Sequence, residues 1–296
     1  PWLKAPLKAN PRFLRDRYWP DGMVRVGGRD YTAMVESPCY LKGELSCLSC
    51  HQMHHPQPGS KQMELWLDDQ VKSGMDSNEA CLQCHEGMRD NLSEHTHHSA
   101  NSTGSSCYNC HMPHTTYGLL KGIRSHQIDA PSIKVNLETG RPNACNLCHL
   151  DQTIEWSADY LEKWYGQPKP ALNLENRRIA ASVLWLLKGD AGLRALTAWH
   201  YGWKDAQEAS GVSWQVPILA RLLEDPYSAV RFITARSLRS YTGLEDLDFD
   251  FLDEASSWKT SVEKALAVWE TTQKAENQIL EPQRVPFKSS AEFDER

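Results

Sequence analysis

Apolar and polar positions follow different rules in different parts of this chain. From Asp151 onward they carry a helical period: Trp156, Tyr160 and Trp164 recur every fourth residue, and Ile179, Val183, Leu184, Leu186 and Leu187 continue an apolar stripe. The pattern predicts two helix pairs, 174–188 with 190–201 and 213–224 with 226–241, the second opening on Pro226 after an Asp cap at Asp225. Between 39 and 150 the chain is polar and punctuated by Gly, Ser and Asn, with too few periodic apolar residues to build a core. Something other than side chains must fill that segment. Residues 1–38, rich in Pro, Arg and aromatics, read as an extended arm with a small hairpin near Met23–Val26 and a turn signal at Gly27-Gly28.

The expected fold is therefore mainly α, in three parts: an N-terminal arm (1–38), a central domain with little regular secondary structure (39–150) and an α-helical module (151–296). Leu222 to Leu238, in which Asp-Pro leads into a helix carrying Val230-Arg231, resembles a HEAT-type repeat, so the module reads as HEAT-like around 174–241 or as an ordinary helical bundle.

Length and composition narrow the class without changing this division. A chain of 296 residues, 40% hydrophobic and 24% charged, has the balance of a soluble globular protein. Its most apolar stretch, Ile179 to Leu187, is about half the length that a membrane-crossing helix needs. A net charge of −6 argues against nucleic acid as a partner, because phosphate binding needs concentrated Lys and Arg. The chain opens on Pro1 without a charged-then-apolar leader, as expected of a processed or truncated product.

The chemistry lies in the cysteines. All nine fall between Cys39 and Cys148, and eight of them belong to four copies of one pentapeptide. These are Cys47-Leu-Ser-Cys50-His51, Cys81-Leu-Gln-Cys84-His85, Cys107-Tyr-Asn-Cys110-His111 and Cys145-Asn-Leu-Cys148-His149. The pattern is that of haem c attachment: two thiols add to the two vinyl groups of one porphyrin and the adjoining imidazole reaches the iron. Zinc ribbons pair Cys-x-x-Cys units without requiring the His, and disulfides show no such His. Four covalent haem c groups are the expectation, with Cys39 left as a small buried hydrophobe.

Each iron needs a second axial ligand or offers an open site. Of the eight remaining histidines, seven (His54, His55, His95, His97, His98, His114 and His126) sit among the motifs and His200 lies in the helical part. Bis-His ligation throughout is therefore affordable, and it predicts low potentials, since thioether ligation is what raises them. His54, three residues past its motif, and His126, fifteen past the third, are placed to serve neighbouring haems. His95 and His98, at a helix-turn spacing, complete the preferred set. His55, His97 and His114 read as supporting or surface residues, His200 as structural, and Met53 and Met112 as packing groups.

At these residues the sequence resembles the multihaem cytochrome superfamily around cytochrome c nitrite reductase. The likeness rests on Cys47-Leu-Ser-Cys50-His51-Gln-Met-His54, on His95-Thr-His97-His98 before Cys107-Tyr-Asn-Cys110-His111-Met-Pro-His114, on Arg124-Ser-His126 and on Asn143-Ala-Cys145-Asn-Leu-Cys148-His149, and it spans about residues 36–165. The resemblance implies closely stacked, mostly bis-His haems in an exported protein, periplasmic or extracellular. It also implies Arg124-Ser-His126 as a distal-ligand element. Nitrite reductases of that group use a Cys-x-x-Cys-Lys haem, which this chain lacks. Some extracellular tetrahaem cytochromes polymerise into conducting filaments.

Three functions follow as expectations. The first is electron transfer between redox partner proteins, as a carrier or as a subunit of an assembly that includes copies of the chain itself. The second is an oxidoreductase acting on a small nitrogen or sulfur compound at a five-coordinate haem. The third is an interaction scaffold built on the helical module. Two structural expectations accompany them: residues 39–149 need haem to fold, and the Trp156/Tyr160/Trp164 stripe packs the helical module on the fourth haem and the first helix pair.

Overall fold

The computed structural model describes residues 12–26, 29–54, 63, 70–118 and 120–280. The fold is mainly α, with one two-stranded antiparallel sheet, β1 (His114–Tyr117) and β2 (Lys121–Arg124), in the register His114 to Arg124. No described helix is long and apolar enough to cross a membrane.

The arm is more structured than expected. Tyr18 bridges Val24 around a turn in which Gly22 takes φ +90°, a value that glycine adopts without strain. The hairpin therefore lies earlier than the Gly27-Gly28 signal, and those two glycines fall outside the described residues. Val26 then bridges Thr116, whose hydroxyl donates to Arg25 O at 2.8 Å, and a helix follows at Asp30–Val35. The arm is thus sewn to the strands beside the third motif.

Two apolar clusters carry the helical part. In the larger, Leu186, Tyr201, Leu219, Leu223, Val230, Ile233 and Leu238 close around Leu150, which is fully buried. Helix Ala191–Tyr201 packs on Ser228–Leu238, Gly202 giving the clearance that the Ser237 side chain and backbone require. In the smaller cluster Ile154, Ala158 and Leu161 of helix Ile154–Tyr165 meet Ile133, Leu147, Ala181 and Trp185. That helix is fixed at both ends: the Thr153 hydroxyl accepts from Trp156 N at 3.1 Å, and Gly166 closes it at φ +65°.

Details depart from the periodicity. The expected helix 174–188 breaks at Ile179–Ala180 into Leu174–Arg178 and Ala181–Lys188, and Lys204–Ser210 forms a helix between the two expected pairs. The helix after Asp225 begins at Ser228, not Pro226: Asp225 Oδ1 accepts from Tyr227 N at 2.9 Å, while its carboxylate also takes two bonds from Arg194. A last long helix spans Ala255–Leu280.

Candidate haem centres

Each motif sits on a single helical turn or at its end: Cys47–Cys50, Glu79–Leu82, Cys107–His111 and Ala144–Cys148. One turn puts cysteines three residues apart on one face and brings the following histidine beside the first. The amides of His51, His85 and His149 donate to the carbonyl of their first cysteine at 2.8, 2.9 and 2.8 Å, which closes each loop. Local caps hold these short turns. Ser46 and Ser49 exchange hydrogen bonds, and Asn143 accepts from Asn146 N at 3.1 Å. Asn78, ahead of the second motif, accepts from Cys107 N at 2.8 Å and so caps the third.

The thiols of successive motifs converge. A hydrogen bond between Cys81 and Cys107 pulls the Cys107 thiol down and pushes Cys81 up. Burial pushes Cys110 up to about 11 and Cys145 and Cys148 to about 12, so these three are neutral thiols. Among the described residues no three His, Cys, Asp or Glu side chains gather as a structural zinc site would require.

The imidazoles are arranged differently, in facing pairs. His51 faces His126 with ring centres 6.0 Å apart and planes 25° apart; His95 faces His111 at 6.2 Å and 8°; His98 faces His149 at 6.0 Å and 26°. Two metal–imidazole bonds of about 2 Å, one on each side of an ion, separate the ring centres by about 6 Å. The pairs therefore fit an axially ligated haem iron, each pair joining a motif histidine to a histidine from elsewhere in the chain.

The remaining ring nitrogens are accounted for in the same sense. His111 Nδ1 lies 2.8 Å from Asp129 O and His98 Nδ1 2.6 Å from Thr96 O, contacts that use Nδ1–H as the donor and leave the Nε2 side of each ring for another partner. His126 Nδ1 stands 3.1 Å from Asp30 Oδ1, off the axis of an ideal hydrogen bond; the contact with His126 holds the Asp30 carboxyl below its usual range. Burial holds His95 and His149 below the ordinary imidazole range, in the neutral form that ligation needs.

Neighbouring groups fix the distal segment 95–98. Helix Leu92–Thr96 ends at His97, whose φ of +56° turns the chain, so His95 and His98 do not share a helical face and serve different motifs. The Tyr165 hydroxyl donates to His95 O at 2.6 Å. Gly104 lies against the His98 ring with no room for a Cβ. A ladder of rings runs along helix Ile154–Tyr165: His149 to Trp156 (4.9 Å), Trp156 to Tyr160 (4.8 Å), Tyr160 to Trp164 (4.5 Å) and Trp164 to His97 (4.3 Å). The stripe thus faces the fourth motif, whereas the Ile154, Ala158 and Leu161 face of the helix meets the first helix pair.

Of the expected distal residues, His95, His98 and His126 stand opposite motif histidines. His54 is exposed, and among the described residues neither it nor His85 faces another ring; His55 lies outside them. His114 is half-buried and packs against Trp199, His200 and Trp203, so it faces the helical part and not solvent. Cys39 is half-buried, short of the full burial expected. Asp30, Gly104 and Tyr165 escaped the sequence reading, because each acts on a histidine through the fold and carries no local motif.

Residues 66–154 match the protein-family model described as "Cytochrome c7 and related cytochrome c". The match contains the second, third and fourth motifs and begins after the first. No curated protein and no solved structure matches this chain.

Proposed function

We propose that the chain is an exported electron-transfer protein that carries four c-type haems, as a carrier or as a subunit of a larger or polymeric assembly. The observation that carries this reading is the set of three parallel imidazole pairs about 6 Å apart, each with one member in a Cys-x-x-Cys-His motif. The likeness of residues 66–154 to cytochrome c7 and related cytochromes c supports it. When bound, haem supplies one-electron chemistry. The protein's part is to anchor through eight thiols, to hold the paired imidazoles about 6 Å apart, and to limit water at the third and fourth sites with the ladder from His149 to His97. Cys47, Cys50, Cys81, Cys84, Cys107, Cys110, Cys145 and Cys148 are the anchors, and His51, His85, His111 and His149 the proximal ligands. His126, His95 and His98 are distal ligands, and His54 is the one assigned to His85.

Haemochrome quantification against protein concentration tests the count. Four haems per chain are expected, and fewer would overturn it. Low-spin spectra throughout are expected of bis-His ligation. One full equivalent of high-spin iron would instead favour an oxidoreductase acting on a small nitrogen or sulfur compound, with the His85 site as its place.

A further inference from the structure

We infer that Arg124 and Asp205 form an opposed pair of fixed charges that sets the reduction potentials of the third and fourth haem sites. The inference rests on the haem reading above and names the residues that would tune it.

Arg124 ends β2 opposite His114, and its side chain reaches the third motif. One guanidinium nitrogen donates to Tyr108 O at 3.2 Å and Met112 O at 3.5 Å, the other to Asn109 Oδ1 at 2.5 Å. All three acceptors are neutral. The guanidinium carbon lies 5.7 Å from the Trp203 ring centre, and His114 and His200 nearby are held neutral by burial. A half-buried cation whose hydrogen bonds go only to neutral acceptors keeps much of its field, and the partly desolvated surroundings extend it.

Asp205 supplies the opposite sign. It lies in the first turn of Lys204–Ser210, and its Oδ2 accepts from Asn109 Nδ2 at 3.5 Å, while its backbone carbonyl lies 3.8 Å from Cys148 Sγ. Asn109, inside the third motif, thus offers its amide oxygen to the cation and its amide nitrogen to the anion, and keeps them from collapsing into a contact pair.

Reduction adds one electron to a site, so a nearby positive charge favours the reduced form and a nearby negative charge the oxidised form. Arg124 raises the third and fourth potentials; Asp205, whose carboxylate meets Asn109 of the third motif and whose backbone meets Cys148 of the fourth, lowers both. Among the described residues the hydrogen bonds and close contacts of both run to the third and fourth motifs, so the pair acts on those two sites more than on the first and second.

The test is a redox titration of the haem-loaded full-length protein with haem-resolved EPR or NMR, on R124Q, R124K and D205N. R124Q is expected to shift the third and fourth sites toward the oxidised form by about tenfold at fixed potential, ~59 mV for one electron. D205N is expected to shift both sites the other way, and R124K, which keeps the charge, to stay near wild type. Shifts of R124Q and D205N in the same direction, an R124K shift as large as that of R124Q, or equal shifts at the first and second sites would overturn the inference. A high-spin signal in R124Q would do so too, since it marks a positioning role. A wild-type chain without haem would overturn the proposed function instead.

Discussion

Gly104 lies flat against the imidazole of His98, and a methyl group on its α-carbon would overlap the ring. The contact is made from a single 3-10 turn, Thr103–Ser105, and it fixes the imidazole that faces His149 at 6.0 Å. Gly104→Ala is therefore expected to displace His98 and to convert one low-spin haem into a high-spin one, leaving the haem count at wild type. EPR at low temperature reads this directly. Four low-spin signals in the variant would mean that the turn yields instead.

Asp30 supports His126 from the N-terminal arm. A carboxylate beside the far nitrogen of a ligand makes that ligand a stronger donor and favours the oxidised metal. Asp30→Asn should raise the potential of the first haem and leave the other three in place. His126→Ala should go further and make that haem high-spin. An unchanged titration curve for both variants would detach His126 from the His51 site.

His200 is fully buried, and burial holds its imidazole down to about 3, against 6.5 in the open chain. Between those values the unfolded chain binds a proton that the folded chain refuses. Stability from this group is therefore complete above about pH 6.5 and falls as pH drops toward 3. His200→Gln should lose less Tm between pH 7 and pH 5 than the wild type does. Parallel losses in the two proteins would refute the assignment.

Among the described residues of 39–132, Leu82 and Pro113 are the only buried apolar side chains, while both apolar clusters draw their members from Ile133 onward. Haem must supply the missing buried surface in that segment. Protein made without the haem-attachment machinery should be cleaved first within 39–132 by a non-specific protease. Resistance of that stretch, with cooperative melting, would show that it folds unaided.

What the sequence made legible was the chemistry of single positions. Cys-x-x-Cys-His encodes its own local geometry, because one helical turn suffices to build it, and the four motifs stand out at once. The helices were visible where an apolar stripe faces a cluster, as at Ile154, Ala158 and Leu161. Pairing was not legible: His95 and His98 sit three residues apart yet face His111 and His149, because the left-handed turn at His97 separates them. Nor was the inward role of His114, which depends on two tryptophans about 85–90 residues further along. Asp30 acts on His126 across a similar distance in the chain, where no periodicity connects the two.

The ladder from His149 to His97 makes helix Ile154–Tyr165 a ruler. Eight residues separate Trp156 from Trp164, about 12 Å of helical rise, and the two ends touch His149 and His97, the latter adjoining the His98 that faces His149. A single residue inserted between them would turn the far half of the stripe by about 100° and carry Trp164 away from His97 while leaving Trp156 on His149. An insertion in the 167–173 loop, beyond Gly166, would leave both contacts intact. Length variation in this protein is therefore admissible on one side of Gly166 and penalised on the other.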